Sequence, residues 1–341
     1  GLTSADNNYQ RLEVQADWKA TAGGWEATLG RFVVERSSKT YPAGSGSVRY
    51  ATAAGGSATL SAAADQVRLQ DLWPVLWSVA SSGLRRDFLP ARLEGEVRDF
   101  KLAATWPAGK APTYTLEAAI RGLGLSMPAK GWAVTGVTGT VRADQTGGRL
   151  DLNSGAGLFR FPKLFRSDIR TTTATGQLGW KNSERGLEVL GDDLHIATAD
   201  AESRSKLRLI FPKVGPVFVD IAARFTASSA PAALNYLPLM RFKPGVVNWL
   251  DRAFVAGSVP RAELLWQGPL RGFPYAAGDG RFRAEFTLAD AVLDYAPDWP
   301  RLQNAAGTVI IDRVSLTSLE NRGSIGGLPF EDAEIRVANL T

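Results

Sequence analysis

The chain contains no cysteine, so disulfides and thiolate metal sites are excluded. A cysteine-free chain suits an oxidising compartment such as the bacterial periplasm without fixing it there. Histidine occurs once, at His195, and methionine only twice. No unbroken apolar run reaches about 18 residues, the least that would suggest a membrane-spanning helix. The start, Gly1-Leu2-Thr3-Ser4-Ala5-Asp6, has no initiator Met and no charged segment leading into an apolar one. The expectation is therefore a fragment whose export signal or anchor lies outside it.

The scarcity of bases and soft ligands also limits chemistry. His195 stands in Asp192-Asp193-Leu194-His195-Ile196, where a metal site is conceivable and an exposed strand histidine is the plainer reading. A Ser-His-Asp triad would have to use His195, and no Gly-x-Ser-x-Gly elbow is present. Gly44-Ser45-Gly46-Ser47 reads as a flexible turn, since it lacks the lysine of a phosphate loop. Glu331-Asp332, and Asp294 with Asp298, have no spacing that sets two carboxylates across a cleft. No enzymatic activity, catalytic residue, metal or cofactor is expected.

What is present is enough apolar material for a core, 45% of 341 residues. Its spacing is mostly two. Leu207, Leu209 and Phe211 fall on one face, as do Val217, Val219 and Ile221. Leu116 to Ile120 and Phe282 to Leu288 alternate likewise. Turn clusters at Gly55-Gly56, Gly147-Gly148 and Asn182 to Gly186 separate such runs, which predicts antiparallel meanders. Helical spacing appears twice, over 67–84 and over 232–255. Pro244 either interrupts or opens the second half of the latter. Each apolar stripe should dock on a sheet. Trp18, Trp25, Trp180 and Trp266 lie in probable strands, where core packing is the common role. Trp73 and Trp77 share one face of the first helix.

The chain also resembles itself. Gly139-Thr140-Val141, Asp144 and Leu150-Asp151-Leu152 recur as Gly307-Thr308-Val309, Asp312 and Leu316-Thr317-Ser318, an offset of 307 − 139 = 168. The helices keep nearly the same offset. The reading is two tandem repeats: strands over 1–66 continuing a preceding repeat, a helix-plus-meander over 67–180, connecting strands over 181–230, and a second helix-plus-meander over 231–341. Stacked repeats share a core and make an elongated sheet. Net charge is +5, with the cations scattered rather than in runs. Solvated strand faces explain that, attraction to anionic lipid head groups is the alternative, and no nucleic-acid partner is expected.

One ordered string carries a family likeness. Ala233-Leu234-Asn235-Tyr236-Leu237-Pro238 leads to Val247-Asn248-Trp249-Leu250-Asp251-Arg252-Ala253-Phe254. Arg261 to Trp266, Gly268-Pro269-Leu270, Phe273-Pro274-Tyr275, Gly280-Arg281-Phe282, Leu293 to Pro300 and Ala306-Gly307 follow. Over about 230–340 this resembles YhdP-type proteins of the AsmA-like family. The resemblance implies a periplasmic β body in a Gram-negative envelope, anchored in the inner membrane by a helix outside this fragment. It implies a curled antiparallel sheet whose hydrophobic groove conducts phospholipid. Its partners would be phospholipid, the preceding and following segments of the full-length protein, and the inner and outer membranes. The fold expectation is thus mainly β with two helices. The candidate groove residues are Leu116, Ile120, Leu150, Leu152, Leu207, Leu209, Val219, Phe286 and Leu288. Two other readings stay open on the residues alone: an envelope scaffold with a filled β core, and a carbohydrate-binding β protein. Alternation does not separate a filled face from an open one.

Overall fold

The computed structural model describes residues 9–36, 39–40, 44–70, 91–237, 239 and 244–340. Strands dominate it, and every register pairing between them is antiparallel. The chain divides into two units. The first comprises Gly1–Ala129 with Thr135–Asp151, and the second Lys130–Val134 with Leu152–Thr341.

In the first unit, β1 (Tyr9–Thr21), β2 (Gly24–Arg36) and the two-residue β3 (Lys39–Thr40) are followed by β4 (Gly44–Thr52) and β5 (Ala58–Arg68). Next come β6 (Arg92–Trp106), β7 (Thr113–Met127), and β8 (Trp132–Asp144) and β9 (Gly147–Ser154), whose residues 132–134 and 152–154 fall in the second unit. From β1 to β7 the main strands pair in chain order, with β4 beside β2. Gly44-Ser45-Gly46-Ser47 is not a free turn but the start of β4, a correction to the sequence reading. Its glycines admit a close neighbouring backbone: a β-carbon at Gly44 would stand 2.4 Å from the Gln66 carbonyl oxygen, and one at Gly46 2.7 Å from that of Ala63.

The second unit holds β10 (Gly157–Arg160), β11 (Ile169–Thr171), β12 (Thr173–Ser183), β13 (Gly186–Ala197), β14 (Ala201–Pro212) and β15 (Phe218–Ala227). Helices α1 (Ala230–Ala233) and α2 (Pro244–Ala253) then precede β16 (Phe254–Pro269), β17 (Arg281–Leu293), β18 (Leu302–Asp312), β19 (Ser315–Ile325) and β20 (Leu328–Val337). From β12 to β20 each strand pairs with the next.

The helical expectations are met in part. Ser229 caps α1, its side chain accepting from the Ala232 N–H, and a 3₁₀ turn over Leu234–Tyr236 follows. Pro244 opens α2, where its missing N–H costs nothing. The expected span to 255 is too long, because Phe254 already pairs with Leu293 and the Ala253 carbonyl accepts from the Asp294 N–H at 2.9 Å. The sheet ladder satisfies these groups before another helical turn can. In the span 67–84, Val67 and Arg68 are strand, paired with Val97 and Glu96, and Leu69 and Gln70 turn helical. Residues 71–84, with Trp73 and Trp77, lie outside the described residues.

The strands are interrupted by a recurrent device. Asp99, Asp193, Asp290, Asn304, Glu320 and Asp332 all have positive φ, between 46° and 54°. The first five sit where the pairing register slips, and Asp332 stands beside the irregular stretch of the β19–β20 pairing. Such bulges bend a strand and increase its twist. Each also resets the side-chain alternation, so that apolar residues three apart share a face: Val97 with Phe100, and Leu288 with Ala291. Asp and Asn tolerate the left-handed conformation better than most residues. The bulges on β17, β18, β19 and β20 are neighbours across the ladder, so the second unit is bent at one level.

Candidate functional site

Each unit is amphipathic across its sheet. In the second, cross-strand partners form apolar rows. Val189, Leu209 and Val219 make one, and Gly191, Leu207, Ile221, Trp266 and Phe282 a second. Ile196, Ser203, Phe225, Ala262, Phe286 and Val309 make a third. Directly opposed residues share a face, so the three rows are one surface. Alternate residues point the other way, and many of them are charged. There Lys206 meets Asp192 at 2.9 Å, Arg283 meets Glu285 at 2.8 Å and Arg224 meets Glu263 at 3.4 Å. The Asp192 carboxyl is held below its usual range by the hydrogen bond and charge of Lys206. The same division holds in the first unit, where Trp18, Ala27, Val48, Ala62, Leu102 and Leu116 form one apolar row. Arg49–Glu26 at 2.8 Å and Arg142–Glu117 at 3.2 Å lie opposite it.

A filled sandwich would bury such rows. Here Leu207, Leu209, Ile221, Phe225, Trp266, Phe282 and Phe286 remain partly exposed, while Val219 of the first row is buried at 5% exposure. Among the described residues the face is roofed only towards its ends. At one end α1 closes a cluster of Ala227, Ala230, Val259, Leu288, Ala291 and Ala305. Beyond it Tyr236 leans on Phe225, ring centroids 5.6 Å apart, and its hydroxyl bonds to Thr198 at 2.7 Å and to Asp200. Burial, followed by the Asp200 hydrogen bond, pushes the Tyr236 phenol up. Arg166 ties the neighbouring loop to this helical segment through Asn235 at 3.2 Å and through Asp251. At the other end Phe273 packs on Trp266 at 5.2 Å and on Phe282 at 4.9 Å. Trp266 Nε1 donates to the hydroxyl of Tyr275, which is fully buried, at 2.9 Å.

Of the residues picked from sequence, Leu207, Leu209, Val219 and Phe286 therefore lie on one surface. Leu288 continues it under α1, where it is 6% exposed. Leu152 is partly exposed on β9. In the first unit, Leu116 and Ile120 share a face of β7. Leu150 alternates with the ion pair of Arg149 and Asp151, 2.6 Å apart, as Leu152 does. Phe225 and Trp266, and also Ile221 and Phe282, which the alternation places on apolar strand faces, were not among the candidate groove residues. Trp18 is in a strand but 68% exposed, not core.

Among the described residues the titratable candidates His195 and Asp294 form ion pairs. His195 faces away from Leu194 and Ile196 and pairs with Glu202 at 2.7 Å. Among the described residues no group of His, Asp and Glu is arranged to hold a metal. Asp294 pairs with Arg301 at 3.3 Å, not with a second carboxylate. No helix of the described residues is long and apolar enough to cross a membrane.

An antiparallel sheet in each unit is the fold class that the sequence resemblance implied. The model of the YhdP protein family matches residues 2–341. The chain belongs to the YhdP family. A curated relative, the intermembrane phospholipid transporter YhdP of Escherichia coli (strain K12), is 23% identical over 167 residues. That match covers 49% of this chain and 13% of the relative, so the chain corresponds to a small part of that family member's length. No solved structure matches.

Proposed function

We propose that this chain is a non-enzymatic segment of a bridge-like lipid transporter. It conducts phospholipid along its apolar sheet face between the inner and outer membranes of a Gram-negative envelope. The bare face carries this reading. Each acyl CH₂ costs about 0.8 kcal/mol in water, so a two-chain lipid leaving a bilayer faces on the order of 20 kcal/mol or more. Only a continuous apolar surface offsets that. Between the row of Phe225 and that of Val219 six residues of β15 span about 20 Å. An acyl chain occupies about half of a 30 Å hydrocarbon core, so it fits across the strands.

On this reading the chain works in the periplasm, with adjoining segments of a longer protein continuing the face and an anchoring helix elsewhere in that protein. Two tandem modules, 67–180 and 231–341, fit the hairpins: Asp144 ends β8 as Asp312 ends β18, and Gly147 opens β9 as Ser315 opens β19. The test is mass spectrometry of lipid recovered with the chain after expression in a Gram-negative periplasm. Stoichiometric phospholipid is expected. Folded protein that carries none, even after incubation with phospholipid vesicles, would overturn the reading.

A further inference from the structure

The two ends of the apolar face in the second unit differ in charge as well as in cover. Four hairpin tips lie along one edge: 183–186, 212–217, 270–280 and 312–315. Backbone bonds join neighbouring tips: the Lys213 N–H donates to the Arg185 carbonyl at 3.0 Å, and the Leu270 N–H to that of Val217 at 2.8 Å. Each tip presents one exposed cation, in order Arg185, Lys213, Arg271 and Arg313. Tips recur every second strand, which spaces the cations about 10 Å apart. Arg313 is neutralised by Asp312 at 3.2 Å. Of the other carboxylates there, Asp279 folds back over Gly272 and Glu184 is exposed. Arg185, Lys213 and Arg271 have no ion-pair partner among the described residues.

The 270–280 tip lays Phe273 over Trp266 and Phe282, but beside it the apolar face reaches this edge uncovered at β13 and β14. Leu187 stands opposite Phe211, which is 41% exposed, and Val214 beside Lys213 is 90% exposed. The opposite edge is roofed by α1 and the Tyr236 turn. Of its described cations, Arg301 bonds to the Asp294 carboxylate, Arg252 to the Asp294 carbonyl and Arg166 to Asp251. Among the described residues, exposed apolar surface and cations without an ion pair meet along this edge. That is the chemistry of the boundary between acyl chain and phosphate in a phospholipid.

We propose that Arg185, Lys213 and Arg271 each hold the phosphate of one phospholipid whose acyl chains lie on the apolar face, so that successive head groups line this one edge. The proposal rests on the lipid-conducting reading above and assigns the head-group side. A cation beside an anionic lipid surface contributes about fivefold in affinity.

The experiment compares vesicles containing phosphatidylglycerol with vesicles containing diacylglycerol of the same acyl chains, each with a fluorescent tail. Lipid retained by the chain is measured. The wild type is expected to retain phosphatidylglycerol in preference, and R185Q/K213Q/R271Q to lose about fivefold or more of it while retaining diacylglycerol as before. These sites are exposed turns, so the variant keeps its fold, which circular dichroism checks. Unchanged phosphatidylglycerol retention in the variant, or an equal loss of both lipids, overturns the phosphate site and leaves the apolar face standing. A wild type that takes both lipids equally does the same. A wild type that takes neither overturns the conduit reading, and this site with it.

Discussion

A carboxylate placed at Leu209 or at Leu288 distinguishes an open face from a filled one. Leu288 is 6% exposed and packs among Ala227, Ala230, Val259, Ala291 and Ala305. Losing such a leucine costs about 2–5 kcal/mol, and the unpaired charge adds several more. That approaches the whole stability of a domain, about 5–15 kcal/mol, so Leu288→Asp is expected to unfold the second unit. Leu209 lies on the bare rows and is only half-buried, with Val189 and Val219 beside it. Full burial of a leucine is worth about 1.5–3 kcal/mol, so a half-buried one forfeits about 1. Asp adds up to about 1 kcal/mol through its poor strand propensity, while its carboxylate stays hydrated. A unit of this size shifts about 2–4 °C per kcal/mol, so Leu209→Asp should melt about 2–8 °C lower and remain cooperative. The assay is calorimetry with circular dichroism on both variants. If Leu209→Asp unfolds as Leu288→Asp does, the face is a filled core and the reasoning fails.

Acid titration follows from the lowered carboxylates. Arg160 holds Asp168 below its usual range by two hydrogen bonds, at 2.8 and 2.6 Å, and Lys206 does the same for Asp192. Their stabilisation is complete above the ordinary carboxylate pKa of about 4 and is lost as pH falls through the lowered values, so the melting temperature should drop there. D168N/D192N should flatten that drop, and an unaltered acid slope contradicts the assignment. Arg166→Ala releases Asn235 and Asp251. Both partners are partly exposed, so it should cost at most about 1 kcal/mol, and amide exchange should quicken in 230–253 but not in β13 or β14. Among the described residues β20 pairs only with β19, leaving its outer edge open. The chain should therefore associate with rising concentration in light scattering, and Ile335→Lys should suppress this; a strictly monomeric chain counts against an open edge.

Much of the fold was legible because alternation is a local property. Leu207 and Leu209 against Arg208, and Val219 against Asp220, announced both the strands and their apolar side. Pro244 announced the start of α2. The bulges were not read, because a two-residue period hides a step of three. The signal was there, in an Asp or Asn just before the second of two apolar residues three apart, as in Gly191-Asp192-Asp193-Leu194. Gly44 to Ser47 were misjudged because a glycine needed for close strand approach looks like one needed for a turn. Whether the apolar face is covered depends on the second layer and not on any strand, so the bare rows and the exposure of Trp18 became visible only in three dimensions. Alternation places Trp266 and Phe282 in strands but does not show that they pair across one row, and a strand tryptophan is commonly core.

The central claim is that one face of the sheet touches lipid and the other does not. Its most direct test is a photoreactive residue placed in turn at 204 to 209 on β14, with crosslinking to phospholipid measured in the periplasm. Crosslinks at 205, 207 and 209 with none at 204, 206 and 208 are predicted. Equal labelling of both sets, or labelling of the charged set alone, would contradict it.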